Sequence, residues 1–124
     1  MKVLTIYLLH SESYLQVIIS VNKLSKLKKN SAKIGTPIVI NEGLSAVEYM
    51  SKSVNNAQVL ADLKIMDAAG YEVSQAVKFG ADIVTILGVS EDASIKSAIE
   101  EAHNNGKELL VDMIAVQNLK QRPA

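Results

Sequence analysis

No cysteine occurs in the 124 residues, and histidine occurs only at His10 and His103. A disulfide scaffold is therefore excluded, as is a zinc centre built on thiolates or on a histidine pair. The same lack fits a reducing cytoplasm, the expected location. No apolar run approaches the roughly 18 residues that span a bilayer, so no membrane partner is expected. Met1–Leu9 is apolar with one lysine, but His10-Ser11-Glu12 interrupts it without a clear small-residue cleavage site, and no signal peptide is expected. An excess of charge is missing too. Thirteen basic and thirteen acidic side chains leave a formal net charge of zero, which removes the case for a nucleic-acid surface. Glycines are few and unclustered: Gly35-Thr36-Pro37 reads as a strand-to-turn connection, not a phosphate loop. No internal repeat or low-complexity linker divides the chain. At 48% apolar residues it suits a single α/β unit large enough to bury a core.

Against this plain background, the decapeptide ADLKIMDAAG, Ala61 to Gly70, stands out. It follows an apolar run that reads as a buried strand. Side chains alternate along a strand, so Asp62 and Lys64 point the same way, into whatever the strand lines. Asp67 lies beyond the strand end, placed to curl back toward them or to reach a neighbouring subunit. Two carboxylates and an ammonium at a strand's C-terminal end suit metal binding and proton transfer. A solvated strand end with a surface ion pair of little energetic consequence has the same spacing.

The residues that follow favour the first reading. Tyr71–Ala81 has Val73, Ala76, Val77 and Gly80 at helical spacing, and Asp82–Leu87 is a β-rich run closed by Gly88. Ala93–Asn105 is a second amphipathic helix with Ile95, Ala98, Ile99 and Ala102 as its stripe and Gly106 as its stop. Glu108–Ile114 is another short apolar run, carrying Asp112. Strands alternating with helices imply βαβ units, a parallel sheet and chemistry at the C-terminal strand ends. Asp62, Lys64 and Asp112 all fall there. Other residues read as structural. Glu91-Asp92 and His103 suit the dipole at the two ends of a helix, His10 is a loop residue, and Tyr49 and Tyr71 pack on helix faces.

The segments IGTPIVINEGLSAV, VLADLKIMDAAGYE, GADIVTILGVSEDASIK and LLVDMIAV resemble, in order, the 3-hexulose-6-phosphate synthase family. That family lies within the orotidine-phosphate-decarboxylase-like group of (β/α)8 barrels, beside 3-keto-L-gulonate-6-phosphate decarboxylase. The resemblance runs from about Ile34 to Arg122, most of the chain. It implies a TIM-type barrel and a magnesium-dependent aldol condensation of formaldehyde with ribulose 5-phosphate. It further implies Asp62 as a Mg2+ and substrate ligand and Lys64 as proton donor and electrostatic partner of an enediolate. Asp67 is similar to the aspartate that binds substrate and acts across a homodimer interface, and Asp112 to a catalytic carboxylate at the end of the fifth strand. The decarboxylases usually carry Glu-Leu-Thr-Gly at that last position, so Val111-Asp112-Met113-Ile114 favours the synthase. Flanking carboxylates would keep Lys64 protonated, which disfavours a Schiff-base aldolase.

The chain also departs from the family pattern. An Asp expected at the end of the first strand is absent, since none precedes Asp62. A metal-ligating Glu expected before Ile-Gly-Thr-Pro is Lys33 here, and a cation at a magnesium site opposes the metal unless it turns away into solvent. Residues 1–33 are set apart as atypical, as an altered reading frame would produce. Glu12 is their only acid, Lys23, Lys26, Lys28, Lys29 and Lys33 crowd their end as a solvated run, and Leu15, Ile18, Ile19, Val21 and Leu24 allow a helix.

The expected fold is therefore α/β, a single incomplete domain over 1–124 made of about the first five parallel strands of a TIM barrel. Gln58–Leu63, Asp82–Leu87 and Glu108–Asp112 are its firmest strands, and MIAVQNLKQRPA resembles the start of the next helix. A whole barrel needs about 250 residues, so self-association and activity reduced by on the order of 10²-fold or more are expected. The alternatives are an inactive barrel remnant or a 3-keto-L-gulonate-6-phosphate decarboxylase-like enzyme. A flavodoxin-like module is disfavoured because His10–Tyr14 has no glycine-rich loop.

Overall fold

Period-two alternation on four consecutive strands sets the layers of the molecule. The computed structural model describes residues 30–117 and, ahead of them, three short strands. These are β1 (Leu8–His10), β2 (Ser13–Leu15) and β3 (Val17–Ile18), followed by β4 (Asn30–Ile34), α1 (Thr36–Glu42) and α2 (Ser45–Ser53). Then come β5 (Ala57–Ile65), α3 (Ala69–Lys78), β6 (Ile83–Leu87), α4 (Asp92–Asn104) and β7 (Glu108–Asp112). The main sheet has the order β3-β4-β5-β6-β7, and its last four strands are parallel.

One face of those parallel strands is apolar. Ala32 and Ile34 on β4, Val59, Ala61 and Ile65 on β5, and Val84 and Ile86 on β6 are buried in one cluster. Helix residues complete that cluster: Ile38, Val47, Met50, Val73, Ala76, Ala98 and Ala102. Each large aliphatic side chain fully removed from water contributes about 1.5–3 kcal/mol, so this layer holds the fold. The helix boundaries follow local chemistry. Pro37 sits in the first turn of α1, where a missing N–H costs nothing. Asp92 opens α4 and His103 closes it, each suited to the dipole there. Gly106, at φ +65°, takes the left-handed conformation that ends a helix cheaply.

Several expectations need correction. The stretch around Leu15 and Ile18 is not helical: both residues lie in strands, with β1 antiparallel to β2 and β3 antiparallel to β4. Their β-branched and apolar neighbours suit an edge pairing as well as a helix stripe. His10 ends β1 opposite Ser13 and is not a loop residue. Tyr71 and Tyr49 are exposed, because each stands on the helix side turned from the sheet. Ile99, counted in the α4 stripe, is also partly exposed. Met113–Gln117 forms a turn and not the start of a helix, with Ala115 at φ +62°. Ile19, Val21, Leu24 and the lysines from Lys23 to Lys29 lie outside the described residues, as do positions 118–124. Among the described residues no helix is long and apolar enough to cross a membrane.

Candidate active site

The other face of the same strands carries charge. Lys33 on β4, Asp62 and Lys64 on β5, Thr85 on β6 and Asp112 on β7 meet toward the C-terminal ends of their strands. Asp62 is 4% exposed, and its carboxylate is shared. Its Oδ1 accepts from Lys64 Nζ at 3.0 Å and from the Thr85 hydroxyl at 3.0 Å. Its Oδ2 faces Lys33 Nζ at 2.7 Å and accepts from Lys64 Nζ at 3.3 Å. Lys64 Nζ also donates to Asp112 Oδ2 at 2.7 Å. The result is a zigzag of alternating charge, Lys33–Asp62–Lys64–Asp112, running across the sheet.

Backbone geometry places these groups. The β5–β6 pairing shifts between Ala61 and Ile65, and within that irregularity Lys64 adopts φ +52°. A non-glycine residue there is strained by about 1 kcal/mol or more, and such strain persists only where its surroundings enforce it. Here the Lys64 N–H donates to Thr85 Oγ1 at 3.1 Å. Thr85 therefore fixes both the Lys64 backbone and the Asp62 side chain. On the other side, the Thr36 hydroxyl donates to the Asp62 carbonyl at 2.7 Å, which ties β5 to the start of α1. Gly88 donates its N–H to the Asp112 carbonyl at 2.8 Å, and a Cβ at Gly88 would run into Met113 and Val116. Asp112 Oδ1 accepts from the Ile114 N–H at 3.0 Å, which orients its other oxygen toward Lys64.

The electrostatics follow from these contacts. Burial pushes the Asp62 carboxyl up, but the hydrogen bonds and charges of Lys33 and Lys64, with the Thr85 hydroxyl, outweigh it and hold it below its ordinary value. The Asp112 hydrogen bond raises Lys64 despite partial burial, and Asp62 adds to the effect. Asp112 is lowered, first by Lys64 and then by the Ile114 N–H. Lys64 is thus a fixed ammonium with three donors and not a free amine.

Asp62, Lys64 and Asp112, expected to act together, are brought together. Asp67 is not among them. It is exposed between β5 and α3, and it makes no hydrogen bond or ion pair with any described residue. Its charge is felt by Glu72, which burial and then Asp67 push up. Lys33 does not turn away into solvent but reaches Asp62. Thr85 and Thr36 were missed by the sequence reading. Thr85 did leave a trace, as the one polar residue inside an apolar strand, at the parity that faces away from the helices.

The ion expected on Asp62 does not fit this donor set. All four of its acceptor positions are taken, and among the described residues no three acidic, histidine or cysteine side chains gather to hold a metal. A magnesium ion on Oδ2 would sit within about 5 Å of the Lys33 ammonium. At that range the charges repel by roughly 2 kcal/mol in water and about 7 at the effective dielectric of a protein site.

Comparison with known proteins places the chain in a family. The model of the orotidine 5'-phosphate decarboxylase / HUMPS family matches residues 14–123. The chain belongs to that family. It is 79% identical over 90 residues to a 3-hexulose-6-phosphate synthase of Staphylococcus epidermidis, covering 73% of this chain and 43% of that one. A crystal structure of 3-hexulose-6-phosphate synthase from Salmonella typhimurium superposes with a TM-score of 0.71 at 41% identity, over 73% of this chain and 43% of the other. A decarboxylase structure, KGPDC from Streptococcus mutans, shares the fold with a TM-score of 0.64 at 22% identity, over 67% of this chain and 41% of its own. This family member therefore spans less than half the length of the relatives it matches, and its parallel strands and helices form part of their barrel.

Proposed function

We propose that this chain carries the reacting centre of a 3-hexulose-6-phosphate synthase-like aldehyde-lyase, joining formaldehyde to C1 of ribulose 5-phosphate. The observation that carries this reading is the Lys64 ammonium clasped between Asp62 and Asp112 at the C-terminal ends of parallel strands. On this reading the Asp112 carboxylate takes the C1 proton, which leaves negative charge on the enediolate oxygens, and the preorganised Lys64 ammonium stabilises that charge as it develops. The enediolate carbon then attacks the formaldehyde carbon, and the former carbonyl oxygen takes a proton from Lys64. Asp112, which holds the proton taken from C1, then passes it to Lys64 at 2.7 Å and restores both groups. Asp67, exposed beyond β5, completes the site of a second copy in a homodimer on this reading. A cytoplasmic setting goes with it, resting on the cysteine-free composition. Mg2+ is the cofactor the resemblance implies, and Lys33 on Asp62 opposes it.

The test is hydrogen exchange at C1 of ribulose 5-phosphate in D2O followed by NMR, then formaldehyde-dependent consumption of the same substrate. Exchange above buffer background, lost in Lys64→Met, is expected. Release of CO2 from 3-keto-L-gulonate 6-phosphate in place of these reactions would favour the decarboxylase chemistry. A second reading, an inactive remnant of the barrel, is favoured by Lys33 seated on Asp62. No exchange from a folded chain would select it.

A further inference from the structure

We propose that the Lys33 ammonium is the resident cation of this site, occupying the side of Asp62 where a divalent metal would bind and supplying its charge instead. The placement is geometric. Lys33 stands on β4 opposite Leu60, two residues before Asp62 on the adjoining strand, so both side chains share the face turned from the helices. Its Nζ meets Asp62 Oδ2 at 2.7 Å. The Asp62 side chain is 6% exposed and that of Lys33 38%, so the ammonium lies between the buried carboxylate and the open side of the sheet.

Charge balance points the same way. Lys33, Asp62, Lys64 and Asp112 sum to zero without help from any ion. A divalent cation added to this set would face two ammonium groups and find no free carboxylate oxygen. With a carboxylate at position 33 the same set would carry two net negative charges, with two acidic groups side by side, as hard oxygen-seeking cations require. An ammonium offers one charge and three directed donors, needs no dehydrated octahedral shell and is present in every molecule. Two ammonium groups on either side of one buried carboxylate then face a bound anion directly. That the anion is an enediolate rests on the synthase reading. The exclusion of metal does not.

The experiment is direct titration of the purified chain with Mg2+ by calorimetry and with Mn2+ by electron paramagnetic resonance, where free Mn2+ is counted. Wild type is expected to show no saturable uptake below about 10 mM, and Lys33→Glu to bind at least ~10-fold more tightly. In the Lys33→Glu background, Asp62→Asn is expected to abolish that gain. Circular dichroism checks folding of each variant. If Lys33→Glu does not fold, Lys33→Gln, which removes the charge while adding no carboxylate, is expected to show a smaller gain over wild type. Stoichiometric submillimolar binding by wild type, lost in Asp62→Asn, would overturn the proposal. So would a folded Lys33→Glu chain with no gain. Wherever C1 exchange is measurable, it is expected to be unchanged by EDTA and lowered in Lys33→Gln. A chain that binds no metal and shows no exchange contradicts the synthase reading alone.

Discussion

Two aspartate–lysine pairs stand at opposite ends of the same parallel strands, and they are built differently. At the N-terminal end, Asp82 Oδ1 accepts from Lys107 Nζ at 2.7 Å and its Oδ2 from the Val59 N–H at 2.9 Å. Its main chain joins in, donating to the Val59 carbonyl at 2.8 Å and accepting from the Glu108 N–H at 3.0 Å. One residue thus ties together the starts of β5, β6 and β7. Each charge there meets one partner, and the rest of the bonding is backbone. At the C-terminal end, two lysines crowd one buried carboxylate, and each keeps a third or more of its side-chain surface exposed. The first arrangement holds strands in register; the second leaves two partly exposed ammonium groups on the open side of the sheet. On the proposed function, this division matches the general rule for (β/α)8 barrels, with stability at the bottom of the strands and chemistry at the top.

Asp62→Ala should separate the two ends most sharply. It removes the carboxylate that both lysines share and leaves the Thr85 hydroxyl without its acceptor. C1 exchange on ribulose 5-phosphate should fall by about 10²-fold or more, the scale set by losing preorganised charge. Stability should fall by only about 1–3 kcal/mol, because both lysines reach solvent. Parallel NMR exchange and urea titration would check this, and an unchanged exchange rate would remove the catalytic role proposed for the top cluster.

Asp82→Ala is the mirror experiment. It orphans the Val59 N–H at a buried position, a loss of about 1–3 kcal/mol in urea unfolding. C1 exchange per folded molecule should stay at the wild-type level. Thr85→Val is expected to be smaller, about 1 kcal/mol, since valine fills the same volume but leaves Asp62 and the Lys64 N–H each one partner short. A melting curve and amide-proton exchange at Lys64 would read both effects.

The two ends also differ in how far sequence reveals them. Asp62, Lys64 and Asp112 were legible because each sits in a short strand pattern between periodic helices, a local signal. The strand Glu108–Asp112 was found at its observed bounds, while Gln58–Leu63 extends in fact to Ala57–Ile65. That extension carries the pairing irregularity and the left-handed Lys64, which no propensity marks. The Lys33–Asp62 contact depends on the register between β4 and β5, a non-local fact, so spacing alone left the direction of Lys33 open. The Asp82 clamp was read only as a strand start, because its partners are distant in sequence, the Val59 backbone 23 residues before it and Lys107 25 residues after it. At the N-terminal end of the chain, apolar spacing suited a helix, and strand pairing prevailed at Leu15 and Ile18.

Acid should act on the top end. Asp62 and Asp112 are both held below the ordinary carboxylate value of 3.8. Their contribution is therefore complete above that value and lost as pH falls through their lower, folded-state values. Lys64 is raised above 10.5, so its contribution is complete below that value and lost only as pH rises through its higher one. Stability should be flat between about pH 5 and 10 with respect to these three groups and fall on either side. An Asp112→Asn chain should show a shallower acid limb in pH-dependent melting.

Lys107→Met carries the smallest expected change and sets the scale for the rest. The Lys107 and Asp82 side chains are 30% and 31% exposed, so water screens their attraction. Isolated pairs of this kind contribute about 0–1 kcal/mol, far less than the backbone bonds that Asp82 keeps when the lysine is gone. Methionine preserves the aliphatic stem and so isolates the charge. Urea unfolding should show a loss below about 1 kcal/mol, with the difference from wild type shrinking further at high salt. If Lys107→Met instead cost as much as Asp82→Ala, the bottom pair would be acting through its charge, and the contrast between a register clamp and a charge site would fail.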